Sequence, residues 1–151
     1  MDDFLTLDKQ LCFAIYETSS QFSKLYSTVL EDFDLTYPQY LVLLALWEKD
    51  GIGVTSIGEK INLGTGTLTP ILTRMEKNGW LRKERSREDE RKVFVHLEKK
   101  AVDQKESITK AVQEKIINCS ISLDEYEQLM THLKLLRGKL EQAKQLSAGK
   151  K

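Results

Sequence analysis

A chain of 151 residues with 23 basic and 23 acidic side chains has a formal net charge of zero. It is long enough for one domain with a helical extension, and it carries no overall charge for gripping polyanions at random. No apolar run approaches the roughly 20 residues that cross a bilayer, and the acidic Met1-Asp2-Asp3 is unlike the basic start of a secretion signal, so the expected location is the cytoplasm. In a reducing cytosol Cys12 and Cys119 are not expected to form a permanent staple. His96 and His132 lie far apart without carboxylates at ligand spacing, so no metal and no cofactor are expected.

Leu7, Leu11, Ile15, Thr18, Phe22, Leu25, Val29 and Phe33 step by three or four, the period of one long helix with a buried stripe. Thr36-Tyr37-Pro38-Gln39 then combines an N-cap threonine, an early proline and a Gln at N3. The helix that follows, 40–48, is apolar on nearly all sides and is expected at the centre of the core, with Gly51 and Gly53 ending it. Residues 54–61 predict a short helix, and Gly64-Thr65-Gly66 a turn into the next one.

That next helix takes Thr65 as its N-cap, points Leu68, Leu72 and Met75 inward and stops at Gly79. Its free face carries Thr67, Thr69, Thr73, Arg74 and Lys77, which together with Thr65 set short hydroxyls beside long cations. Such a row suits base edges and phosphates in a major groove. Residues 80–85 predict a strand, 92–97 its partner and 86–91 the tip between them. Arg85, Arg87, Arg91 and Lys92 make this hairpin basic, and an arginine at a thin tip suits the electronegative minor groove. Asp89 is expected to orient an arginine there through a bidentate pair. A charged hairpin alone is an ordinary solvated ribbon, and a threonine-rich face alone an ordinary neutral surface. Adjoining in this order, they predict a winged helix-turn-helix that binds double-stranded DNA.

A further helix is expected from about 101 to 118, with Ile108, Val112 and Ile116 along one side. Ser122-Leu123-Asp124-Glu125 is a capping box, from which Tyr126, Leu129, Leu133, Leu136 and Leu140 continue a stripe to about 146. The fold class is therefore mainly α with a small β-wing. Residues 1–35 form a dimerisation helix, 36–98 the winged DNA-binding domain, 99–146 C-terminal dimerisation helices and 147–151 a flexible tail. Apolar stripes at both ends are buried most economically in a two-fold homodimer. Its two reading heads would stand about one helical turn, roughly 34 Å, apart on a pseudo-palindromic operator.

Gln10-Leu11-Cys12-Phe13, Leu35-Thr36-Tyr37-Pro38-Gln39-Tyr40, Gly66-Thr67-Leu68-Thr69-Pro70, Arg74-Met75-Glu76 and Arg85-Ser86 with Asp89-Glu90-Arg91 together resemble the MarR family, in its OhrR branch of peroxide-sensing repressors. The likeness covers 10–97 well and the C-terminal helices in outline. Gly64, Thr65 and Thr73 depart from the branch pattern, as does 98–101 after the wing. The resemblance implies a dimeric, non-enzymatic repressor with Cys12 as its redox sensor and Tyr26 and Tyr37 donating hydrogen bonds to the Cys12 thiolate. Tyr26 is fourteen residues further along the same helix, roughly 21 Å at 1.5 Å per residue, so it reaches Cys12 only from the partner chain. Cys12 itself falls in the second turn of a helix beginning at 7, late for help from the helix dipole. By the same resemblance Cys119 is the second thiol, bonded to Cys12 of the other subunit after oxidation. Three alternatives stand beside this reading. They are a regulator released by an aromatic ligand among Phe13, Tyr16, Phe22, Tyr37 and Trp47, a thiol peroxidase using Cys12, and a helical interaction module without a DNA target.

Overall fold

The structure, a computed structural model, describes residues 6–148, so the expectations at Met1-Asp2-Asp3 and at 149–151 lie outside the described residues. The chain forms two compact units, one ending at Val112 and one beginning at Gln113.

The first unit contains α1 (Leu11–Leu30), α2 (Tyr37–Glu48), β1 (Ile52–Gly53), α3 (Val54–Ile61), α4 (Thr65–Lys77), β2 (Leu81–Arg85), β3 (Val93–Leu97) and most of α5 (Lys99–Ile117). The single helix expected over 7–33 is interrupted at both ends by 3-10 turns, Leu7–Lys9 before α1 and Glu31–Phe33 after it. Gln10 is extended at φ −85° and ψ 114°, so α1 begins only at Leu11, and Asp34 leaves the second turn through a left-handed φ of 54°.

Thr36 and Gln39 form the expected capping box, Gln39 Oε1 accepting the Thr36 N–H at 2.9 Å. Tyr40, Val42, Leu43, Ala45 and Leu46 leave no single apolar face on α2, and all are buried because α1, α3, α4 and β3 pack around the helix. It ends before the expected glycines, with Lys49 extended. Lys60 and Glu48 tie α3 to the end of α2. Leu68, Leu72 and Met75 of α4 complete the core as expected, but the N-cap is the extended Gly64, and Thr65 is the first helical residue.

Gly58 sets how closely α3 approaches the turn that follows it, since a Cβ there would stand 2.6 Å from the Leu63 carbonyl oxygen. Gly58→Ala is therefore expected to destabilise the fold by about 1–3 kcal/mol, the usual range for overpacking. Urea unfolding should show a lower midpoint with an unchanged slope, and an unchanged midpoint would show that the turn yields freely.

The hairpin pairs Leu81 with Leu97 through to Arg85 with Val93, close to the expected limits. An unexpected third strand joins it: Ile52 pairs with Val95 in the order β1-β3-β2. β1 closes one edge of β3 and leaves β2 as an outer edge. Asp50 accepts the Leu97 N–H at 2.8 Å and fixes the end of β3. Trp80, 1% exposed, plugs the base of the wing, with Lys100 Nζ 4.3 Å from its ring centroid.

The second unit contains the end of α5, a turn with left-handed Ser120, and α6 (Leu123–Ala148). Its capping box is complete: Glu125 Oε2 accepts Ser122 N–H at 2.8 Å and Ser122 Oγ accepts Glu125 N–H at 3.2 Å. These bonds hold the Glu125 carboxyl below its ordinary value. Ser147, expected in the tail, is still helical, and its hydroxyl donates to Ala143 O. Tyr126, Leu129, Leu133 and Leu140 are exposed along α6. No helix among the described residues is long and apolar enough to cross a membrane.

Candidate functional site

The surface of α4 and the wing gathers most of the residues expected to meet nucleic acid. Helical spacing turns Leu68, Leu72 and Met75 inward, which leaves Thr65, Thr67, Thr69, Thr73, Arg74 and Lys77 exposed. Two hydroxyls are less free than the sequence suggests. Thr69 Oγ1 donates to Thr65 O at 2.8 Å and Thr73 Oγ1 to Thr69 O at 3.0 Å, the back-bonding that helical threonines favour. With its hydrogen spent, Thr69 Oγ1 keeps only acceptor capacity for a base edge. Thr73 Oγ1 also accepts from Lys83 Nζ at 3.1 Å.

Arg74 stands apart from the row. It borders a cleft of about 830 Å³ whose other walls include Glu31, Asp34, Gln39, Asn78 and Lys100. Cations and carboxylates thus line the same cleft, and Arg74 lies between it and the outer face of α4.

The wing tip is built by local hydrogen bonds. Ser86 Oγ accepts the N–H groups of Glu88 and Asp89 at 3.2 Å each, and Lys92 N–H donates to Asp89 O at 2.9 Å. Asp89 holds Arg91, but not in the expected bidentate fork. One oxygen, Oδ1, accepts both Arg91 N–H at 3.1 Å and Arg91 Nε at 3.3 Å, because residues two apart in a tight turn cannot present two parallel bonds. The Arg91 side chain is left 94% exposed. Lys77, Arg85, Arg87 and Lys92 are exposed and make no ion pair among the described residues. Of the acids in the same stretch, Glu76 is engaged with Lys83 and Asp89 with Arg91, Glu84 lies 3.6 Å from His96, and Glu88 and Glu90 are exposed, fewer than the exposed cations around them. The local excess of cations therefore faces outward.

Sequence reasoning named Glu76 only within the Arg74-Met75-Glu76 string and gave neither it nor Lys83 a role of its own. Both Glu76 oxygens are occupied: Oε1 accepts Lys83 N–H at 2.8 Å, and Oε2 pairs with Lys83 Nζ at 3.1 Å. The bond from the Lys83 N–H chiefly lowers the Glu76 carboxyl below its ordinary value, against an opposing push from partial burial. The signal was present, since a carboxylate in the last turn of a helix opposes the macrodipole and needs a partner.

At the sulfur end, Cys12 is exposed in the first turn of α1, not the second, because the helix starts at Leu11. Leu11, Ile15, Tyr16 and Phe22 nearby are also exposed. Tyr26 and Tyr37 come together at 5.2 Å between ring centroids, and Tyr26 lies 5.9 Å from Tyr40. Burial, then the neighbouring Tyr37, pushes the Tyr40 phenol up. Cys12 does not join this cluster within the chain, since the continuous α1 separates it from Tyr26. Cys119 lies in the turn after α5, exposed, with Sγ 3.4 Å from Lys115 O. The aromatics expected around a ligand are divided: Phe13 stacks with Tyr16, while Trp47 joins Tyr40 and donates to Ala101 O at 3.2 Å.

Residues 24–108 match the family described as "Transcriptional regulator SarA/Rot". The organic hydroperoxide resistance transcriptional regulator of Bacillus subtilis (strain 168) is 46% identical over 95 residues, 63% of this chain and 65% of that protein. The regulator TtmR of Methylorubrum extorquens (strain PA1) is 50% identical over 96 residues, 64% of this chain and 49% of TtmR, so the matched region spans about half of that relative. MgrA, an HTH-type transcriptional regulator of Staphylococcus aureus, is 37% identical over 130 residues, 85% of this chain and 88% of MgrA. Among solved structures, reduced AbfR bound to DNA gives a TM-score of 0.80 at 34% identity, covering 91% of this chain and 94% of that one. The disulfide form of AbfR gives 0.66 at 36% identity, covering 89% and 95%. A winged helix-turn-helix with an outward row of cations, matched over these lengths, is a regulator and not an enzyme: the chain belongs to the SarA/Rot family of transcriptional regulators, winged-helix proteins of the MarR type.

Proposed function

We propose that the protein is a homodimeric, cytoplasmic redox-sensing repressor that holds an inverted-repeat operator while Cys12 is reduced and releases it on oxidation. The observation that carries this reading is the position of Cys12, exposed in the first turn of α1 beside uncovered Leu11, Ile15 and Phe22. Cys12, Ser19 and Tyr26 are spaced by seven and share one helix face. Two copies of α1 running antiparallel about an axis near Ser19 bring residue 12 of one copy level with residue 26 of the other. Small Ser19 and Ser20 permit close approach there. The sulfur of one subunit then meets the paired phenols Tyr26 and Tyr37 of its partner. Thr65, Thr67, Thr69, Lys77, Arg85, Arg87, Arg91 and Lys92 meet the DNA, with Arg74 at the margin and Asp89 steering Arg91.

In chemical terms the Cys12 thiolate attacks the outer oxygen of an organic hydroperoxide, leaving sulfenic acid and an alcohol. The Cys119 thiol of the other subunit then displaces the sulfenic oxygen as water and closes a disulfide. AbfR offers support: its reduced and overoxidised forms are both described bound to DNA, and its disulfide form resembles this chain less well, at 0.66 against 0.80 and 0.76. On this reading the disulfide, more than the added oxygen, is the step that changes shape.

A non-reducing gel after one equivalent of cumene hydroperoxide checks the chemistry. A band at twice the monomer mass is expected in wild type, absent from Cys12→Ser and from Cys119→Ser and abolished by added thiol. A dimer band that persists in Cys119→Ser would remove the Cys12–Cys119 bridge from the scheme.

A further inference from the structure

We infer that Glu76 and Lys83 act as a clamp that sets the angle between the recognition helix and the wing, so that the major-groove and minor-groove contacts are made together. The inference rests on the DNA-binding reading of α4 and the wing. α4 and β2 are joined only by Asn78, Gly79 and Trp80, with Gly79 at a φ of 74°. β1 pairs at Val95 and Phe94, opposite Lys83 and Glu84, so the wing is three-stranded there and becomes a two-stranded ribbon only from Arg85 and Val93 to the tip. A two-stranded ribbon is marginally stable alone, so the direction of the tip depends on how the strands beneath it are held.

β2 is the outer strand, and an outer strand offers its outward N–H groups to whatever lies beside it. For Lys83, in the middle of β2, the partner is Glu76 Oε1 at 2.8 Å. The Lys83 ammonium in turn donates to Glu76 Oε2 and to Thr73 Oγ1, each at 3.1 Å. Two α4 residues one turn apart are thereby fastened to one wing residue by three bonds, two of them to a carboxylate whose side chain is 38% exposed. Bonds to charged groups are the stronger class. Two of the three ammonium donors of Lys83 are engaged within the fold, which makes Lys83 a weaker candidate for phosphate than Lys77, which makes no ion pair among the described residues. Thr73, whose hydroxyl both donates to Thr69 O and accepts from Lys83, becomes a positioning residue whose hydroxyl does not read bases.

If the clamp couples the two contacts, the wing's contribution depends on Glu76. The experiment is a double-mutant cycle on Arg91→Ala and Glu76→Gln, read as affinity for a duplex selected from random sequence by the reduced wild-type protein, with hydroxyl-radical footprinting of the minor groove under the wing. Arg91→Ala should weaken wild type about tenfold, in line with loss of one charged contact. In the Glu76→Gln background the same change should cost under about threefold, and the wing footprint should fade while protection along the recognition helix stays. Glu76→Asp tests rescue: a shorter carboxylate that regains either bond should restore part of the coupling. Thermal melting of each variant separates unfolding from loss of register. Equal cost of Arg91→Ala in both backgrounds, with both variants folded, overturns the clamp. Failure of the wild-type protein to select any duplex overturns the DNA reading instead.

Discussion

Cys12→Ser is expected to keep its grip on the operator after organic hydroperoxide, whereas the oxidised wild-type protein loses roughly 10² to 10⁴ in affinity. The size of the loss comes from geometry, not from destroyed contacts. Two winged heads held at the spacing of one helical turn bind as one bivalent unit, and a few ångströms of repacking at the α1 face forbids simultaneous engagement. Serine preserves the volume of the side chain and its exposure in the first turn of α1 but cannot form a sulfenic acid. Fluorescence anisotropy with a labelled operator, before and after one equivalent of cumene hydroperoxide, reads the effect. Oxidant release that persists in Cys12→Ser would move the sensor elsewhere in the chain. Oxidised wild type that still binds at its reduced affinity would remove redox control altogether.

The second large effect is expected from Leu129→Asp combined with Leu133→Asp. Both leucines are about half exposed, at 52% and 51%, on the α6 stripe. In a dimer that buries this stripe, each leucine contributes about 1.5–3 kcal/mol, and an aspartate in its place carries an unpaired charge into an apolar contact. Sedimentation should show monomers at concentrations where wild type is dimeric, and operator affinity should fall by roughly the same 10² to 10⁴. The core around α2 lies in the first compact unit and should keep its unfolding midpoint. A variant that remains dimeric would take α6 out of the interface and leave the α1 face to carry it.

Much of this architecture is legible in the amino-acid sequence. Leu68, Leu72 and Met75 stepped at helical intervals, residues 54–61 carried their own boundaries, and the Thr36–Gln39 and Ser122–Glu125 boxes marked two helix starts correctly. These signals are local: a helix period or a cap is written within four residues of itself. The candidate site was legible to the same depth. Which residues are exposed on α4 followed from spacing, and that Asp89 would face an arginine followed from its misfit in a basic turn.

What escaped were relations between segments. β1 is two residues long, too short for any alternation to show, and exists only because β3 offers it an edge. The Gly64 cap displaced Thr65 because the backbone leaving left-handed Asn62 is already extended at Gly64. Thr73 read as a free hydroxyl until Lys83, ten residues on and across a turn, was seen to reach it. The amino-acid sequence by itself determined the helices, their caps, the inward stripe and the charge of the wing, because periodicity and capping act over a few residues. Only the tertiary structure decided which cations remain free, which carboxylates are engaged and how the wing is fastened to α4, because those depend on where the chain's return brings distant side chains into hydrogen-bonding range.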